Sequence, residues 1–248
     1  MEIGKEGDMS GIAVNTLTKT IYAAIRYFEG GREGVFIIPD NDGSNDNNNS
    51  GAILDYRTLA SNIIEGTKFI QIGETGPEQV LVDELTNTIY ASLENDNFIA
   101  VINGSNNIIK EKIILQKPRA ISINPSDKLL YAASGETHWF NIIDTNTNTV
   151  TASNTQIAFP IASAVDTNTS RVYVADCLSC DNYSFTNGTT IYVLDKDGST
   201  IGWRTYESID LKDNQLSINP NNTKLYAIGT DKRSGESSLY IIDTTGQP

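Results

Sequence analysis

The stretch Asn124–Ser134, NPSDKLLYAAS, sets a polar turn before a short apolar run that contains Tyr131. Its frame is an Asn or Asp followed seven residues later by a Tyr, and the chain holds it five times: Asn15 and Tyr22, Asp83 and Tyr90, Asn124 and Tyr131, Asp166 and Tyr173, Asn219 and Tyr226. The surroundings repeat with it, as IAVNTLTKTIYAA, VLVDELTNTIYAS, ISINPSDKLLYAA, SAVDTNTSRVYVA and LSINPNNTKLYAI. Each copy is an alternating apolar run, a polar turn and a second apolar run, the pattern of an antiparallel β-hairpin.

A third run follows each hairpin: VFIIPD, NFIAVIN, WFNIID, TIYVLD and LYIID. A weaker fourth run is present in KEKIILQ, VTASNTQIAF and RTYESIDL. Four short strands per repeat predict an all-β chain built as a β-propeller of antiparallel blades. The Tyr-to-Tyr spacings are 68, 41, 42 and 53 residues, and the two middle values match the length of one blade. Five blades follow from this count. The long first interval carries the Asn-rich NDGSNDNNNSG and a further apolar run, AILDY, so six blades stand as the alternative.

The last copy stops at IIDTTGQP without a fourth run, and the opening MEIGKEG resembles FIQIGETG ahead of the second repeat. Residues 1–8 are therefore expected to complete the last blade and remove an open sheet edge. The expected organisation is a single domain over residues 1–248, with repeats at 9–73, 78–116, 119–159, 161–211 and 214–248. One blade cannot bury its faces alone but a series of them can, so the repeated Tyr is expected in the core.

With these runs in place, the copies resemble the YVTN-type β-propeller repeat of the YncE-like kind, most fully at Pro118–Val150, PRAISINPSDKLLYAASGETHWFNIIDTNTNTV. The resemblance spans essentially the whole chain. It implies the propeller fold and an extracellular, cell-surface or periplasmic setting. The hallmark residues shape blades, so the resemblance names no reaction.

Composition narrows the partners. A net charge of −13 and a pI near 4.4 argue against nucleic acid or an anionic membrane as the ligand. No apolar run is long enough to cross a bilayer as a helix, and MEIGKEGDMSG lacks the basic start and apolar stretch of a secretion signal.

Groups for catalysis are sparse. His138 is the one histidine, beside Trp139 at the start of a third strand, and a surface or packing role is expected for it. Cys177 and Cys180 form a C-x-x-C without the second pair that a structural zinc site needs, so a loop disulfide leads over free thiols or a partial metal site. Asp40, Asp42 and Asp46 offer hard oxygen ligands that suit calcium, but no bidentate Glu follows at the twelfth position. A solvated acidic loop is the stronger reading, with no cofactor expected.

In an up-down blade, the loops between the second and third strands share one face with the connections between blades. The insertions RYFEGGREG, DCLSCDNYSFTNG and TDKRSGESS fall there, bringing Arg26, Tyr27, Phe28, Arg32, Tyr183, Phe185, Lys232 and Arg233. His138, Trp139, Lys117 and Arg119 lie nearby in the same reading. Aromatic residues mixed with Arg are favoured at binding hot spots. The expected function is a non-catalytic binding or scaffold module for a protein, peptide or glycan, acting alone or as part of a larger surface assembly. The alternative is a hydrolase or lyase similar to the lactonase and streptogramin-lyase propellers, working at the channel mouth.

Overall fold

The structure, a computed structural model, describes residues 8–26, 33–39, 66–177, 188–219, 221 and 223–244. Nineteen strands are found among them. Blade 1 holds β1 (Asp8–Asn15), β2 (Thr20–Arg26), β3 (Gly34–Pro39) and β4 (Lys68–Gln71), and blade 2 holds β5 (Gln79–Asp83), β6 (Thr88–Leu93), β7 (Phe98–Asn103) and β8 (Ile108–Ile114). Blade 3 holds β9 (Ala120–Asn124), β10 (Leu129–Ser134), β11 (Trp139–Asp144) and β12 (Thr149–Asn154). Blade 4 holds β13 (Pro160–Asp166), β14 (Arg171–Cys177), β15 (Thr189–Leu194) and β16 (Thr200–Tyr206). Blade 5 holds β17 (Ile209–Asn219), β18 (Lys224–Asp231) and β19 (Ser237–Asp243).

The fold is a five-bladed β-propeller, with all strands antiparallel to their neighbours and in chain order. The first two blades lie in one compact unit, Met1–Ile114, and the other three in a second, Leu115–Pro248. The long first interval supplies β3 and β4 of blade 1, and residues 40–65 between them lie outside the described residues. So do residues 1–7 of the expected closing segment 1–8, while Asp8 opens β1 of blade 1. The run RTYESIDL is divided in the structure: β16 ends at Tyr206, and Ile209–Leu211 opens β17, where Leu211 is buried against blade 4.

The repeated Asn or Asp heads a four-residue turn. Its Oδ1 accepts the backbone N–H two residues on, from Leu17 (3.0 Å), Leu85 (3.0 Å), Ser126 (3.2 Å), Asn168 (3.0 Å) and Asn221 (3.0 Å). The last turn residue takes a left-handed backbone at Lys19, Asn87, Lys128, Ser170 and Thr223, with φ between 50° and 58°. The next residue then pairs directly with the frame residue, as Asn124 does with Leu129. A short side chain with an acceptor oxygen is what such a turn requires, which is why Asn and Asp alternate freely there.

Their second atoms differ. Asn15 Nδ2 donates to Asn87 Oδ1 (2.8 Å) and Asn124 Nδ2 to Ser170 Oγ (3.3 Å), each in the turn of the following blade. Asp83 and Asp166 have no such donor, and their Oδ2 accepts from the hydroxyls of Thr86 and Thr169 within the same turn (both 2.7 Å).

The repeated Tyr begins a quartet on one side of each blade. Tyr22 and Ala24 lie opposite Ile37 and Val35, Tyr131 and Ala133 opposite Ile142 and Phe140, and Tyr173 and Ala175 opposite Val193 and Ile191. All three quartets are buried against the blade that follows. That of blade 1 meets Val80, Ile89 and Ala91, that of blade 3 meets Val165, Val172, Val174 and Leu194, and that of blade 4 meets Leu211, Leu216, Leu225 and Ala227. Along β14, Val172 and Val174 face blade 3 while Tyr173, Ala175 and Cys177 face blade 5, so the four consecutive residues 172–175 are all apolar and all buried. Burial on both faces therefore replaces the apolar–polar alternation of a solvated sheet.

Tyr131 adds a polar link, its hydroxyl donating to the Lys196 carbonyl of blade 4 at 3.0 Å. Burial pushes its phenol pKa well up, and the carboxylates of Asp127, Asp195 and Asp197 add to the shift. A raised phenol pKa leaves this stability fully present below about pH 10 and removes it as pH rises towards the folded value. Tyr131→Phe is expected to cost about 1 kcal/mol at neutral pH and to reduce the loss of thermal stability above pH 10, read from melting curves across pH. Asn124→Asp keeps the turn acceptor but places a buried carboxylate beside Asp127 Oδ2, now 2.7 Å from the Asn124 amide. It is expected to cost about 1–3 kcal/mol at pH 7 and less at pH 4, where the new carboxyl is neutral; denaturant midpoints at the two values check this.

Candidate functional site

The second-to-third-strand loops and the blade connections are held by side chains that reach from one to the other. In blade 2, Asp96 sits in the loop after β6 and accepts from the N–H groups of Glu74 (3.1 Å) and Thr75 (3.2 Å) and from the Thr75 hydroxyl (3.0 Å) in the connection entering the same blade. In blade 4, Asp176 at the end of β14 is 1% exposed and accepts from the N–H groups of Phe159 (2.5 Å) and Ala158 (3.4 Å). A carboxylate that receives backbone N–H groups makes charge-assisted hydrogen bonds and fixes the loop conformation around it.

Blade 3 gathers Lys117, Arg119, His138 and Trp139 at one end. Lys117 Nζ lies 3.7 Å from Glu136 in the loop after β10, and the Arg119 N–H donates to the Ala133 carbonyl at 2.9 Å. His138 takes a left-handed backbone, φ 60°, at the last position of that loop, matching Asn97 in blade 2. Its Nδ1 is hydrogen-bonded to the Ala158 carbonyl, and its ring meets Phe159 edge-on at 5.1 Å. A carbonyl only accepts, so Nδ1 carries the proton. His138 thus closes a turn and ties it to the connection that Asp176 holds from the other side. Trp139 beside it is 45% exposed.

Three of these cations, Arg26, Lys117 and Lys232, have carboxylate partners. Arg26 is ion-paired with Glu78, which is 6% exposed, and Lys232 Nζ lies 3.1 Å from Asp210 while its N–H donates to the Ser208 carbonyl. The Arg233 N–H closes a turn on Asp231 Oδ1 at 2.7 Å. Tyr27, Phe28, Arg32, Tyr183 and Phe185 lie outside the described residues, as do Asp40, Asp42 and Asp46. Cys177 is disulfide-bonded, and Cys180 is outside the described set. Among the described residues no group of three or more His, Cys, Asp or Glu is arranged to hold a metal.

Asp96 and Asp176 are the residues that the sequence reading passed over. Asp176 carried one signal, a lone acid inside the apolar run VYVADC.

No known family profile matches the sequence, and no curated protein matches it. Solved structures do, through the fold. Kuenenia stuttgartiensis hydrazine synthase is similar with a TM-score of 0.72 and 13% identity, over 100% of this chain and 66% of that one. The chain thus spans less than two thirds of that protein's length. A nidogen/laminin complex is similar with a TM-score of 0.59 and 14% identity, over 94% of this chain and 79% of that one. Both are propellers, and the likeness is one of fold.

Asp176→Asn keeps the size of the side chain and weakens its hold on the connection. The expected result is a loss of about 1–2 kcal/mol and faster amide exchange at Ala158 and Phe159, with exchange at Asp96's partners unchanged.

Proposed function

We propose that this chain is a non-catalytic binding or scaffold module that engages a protein, peptide or glycan through its second-to-third-strand loops and blade connections. The observation that carries the reading is the pinning of those segments by Asp96, Asp176 and His138. Segments held before a ligand arrives lose little freedom on binding, which favours affinity. Trp139, half exposed beside the pinned connection, supplies a rigid aromatic contact of the kind that dominates recognition surfaces. The similar nidogen/laminin structure is a complex of two proteins, which is consistent with a protein ligand. The disulfide at Cys177 favours an oxidising setting, at the cell surface or beyond the cytoplasmic membrane.

The test is capture from the surface fraction of the source organism, with bound material read by mass spectrometry. Wild-type chain is compared with a variant carrying Ala at Tyr27, Phe28, Tyr183 and Phe185, and with Trp139→Ala. A partner lost or weakened at least about 10-fold in both variants is the expected outcome. Equal capture by all three proteins removes these loops as the recognition surface.

A further inference from the structure

The third and fourth strands of blade 4 are joined by residues 195–199, DKDGS, and this turn is drawn onto blade 3. Gly198 takes a left-handed backbone, φ 88°, and a Cβ there would meet Ile142 Cδ1 of β11 at 2.6 Å, so the approach requires glycine. Asn154, at the end of β12 and 9% exposed, ties the two blades together. Its Nδ2 donates to the Gly198 carbonyl (2.8 Å) and to Thr200 Oγ1 (3.1 Å), and its Oδ1 accepts the Gln156 N–H (2.8 Å). Between the turn and the start of the connection from blade 3 to blade 4 lies a cavity of about 490 Å³, and all its lining residues belong to the second compact unit. No apolar side chain lines it.

The walls offer a donor and an acceptor. Thr200 Oγ1 donates to Gln156 Oε1 at 3.3 Å, which leaves the Gln156 amide nitrogen without a partner among the described residues. Asp197 Oδ1 accepts the Ser199 N–H at 2.9 Å, and hydrogen bonds from Ser199 lower the Asp197 pKa, so this group acts as an acceptor only. One carboxylate already engaged by Ser199 is too little for calcium, an anion is repelled by it, and an apolar molecule finds no counterpart. A neutral ligand whose hydroxyls both donate and accept fits what remains. β16 adds an aromatic ring on the same side of the sheet. A register shift between Val193 and Leu194 sets Thr200 opposite Leu194 and Trp203 opposite Tyr192, and Leu194 and Tyr192 both face blade 3. Trp203 is thus roughly 10 Å along the strand from Thr200, its ring backed by Tyr192 at 6.5 Å. A sugar ring carries C–H groups on its face and hydroxyls around its edge, which suits an indole next to a polar cleft. A peptide would bring apolar side chains that the cavity cannot match.

We propose that this cavity binds a neutral saccharide, with Gln156 donating to its hydroxyls, Asp197 accepting from them and Trp203 packed beneath a sugar ring. The inference rests on the recognition reading above, and gives the connection from blade 3 to blade 4 a ligand class. Because Asn154 holds both walls in place, little freedom is lost when the sugar enters.

Isothermal titration and NMR amide-shift mapping of the full chain with malto-, cello-, chito-, manno- and xylo-oligosaccharides test this. At least one is expected to bind in the micromolar to millimolar range and to shift the Gln156, Asp197 and Trp203 amides. Gln156→Ala, Asp197→Asn and Trp203→Ala are each expected to weaken it at least about 10-fold. Their melting temperatures should stay near wild type, because all three side chains are exposed and an amide oxygen at 197 still accepts the Ser199 N–H. No binding by any of these sugars at millimolar concentration overturns the inference. If surface capture is still lost in Trp139→Ala, the recognition reading then stands without it; if capture fails as well, both fall. Binding that survives all three variants, or the same amide shifts from calcium chloride alone, also overturns it. So does protection of these amides by a captured partner stripped of its glycans, which makes the ligand a peptide.

Discussion

A carboxylate or amide oxygen accepting one backbone N–H at the head of a tight turn is the constraint on which the rest of this structure depends. Because the frame residue and the left-handed residue four places on define the turn, the second strand always starts at the same register against the first. The Tyr two residues into that strand then always points to the same side of the sheet. A shift of one residue would turn each quartet to the wrong face. Local turn chemistry thus sets which surface every blade offers to its neighbour.

The interfaces that follow are apolar at heart and polar at their ends. Tyr131 shows both, its ring stacked 6.1 Å from Phe140 within the core and its hydroxyl on a carbonyl of the next blade. Asn15 and Asn124 extend the polar links from turn to turn. Each such bond is modest alone, but a buried donor without a partner would be expensive, so these positions admit few replacements.

The hairpins were readable in the sequence because Asx turns and apolar runs are local. The third strands of blades 1–4 were readable because burial on both faces makes them largely apolar runs. The fourth strands were harder: β12 and β16 have one side in solvent, and only two residues separate β16 from β17, so the alternation in RTYESIDL continues across the turn. At the candidate site, the sequence displays Arg26 but not that Glu78, far along the chain, neutralises it. Asp96 and Asp176 act on backbone N–H groups, which carry no residue signature, so nothing in the spelling of residues 74–75 or 158–159 marks them as partners.

Strand order within every sheet equals chain order, and the quartets of blades 1, 3 and 4 wait only for the blade that comes next. Apart from β3 with β4, which pair across residues 40–65, the β-pairings of the described blades join strands that are close in the sequence. Such a chain can settle blade by blade as it leaves the ribosome, each finished hairpin templating the one still emerging.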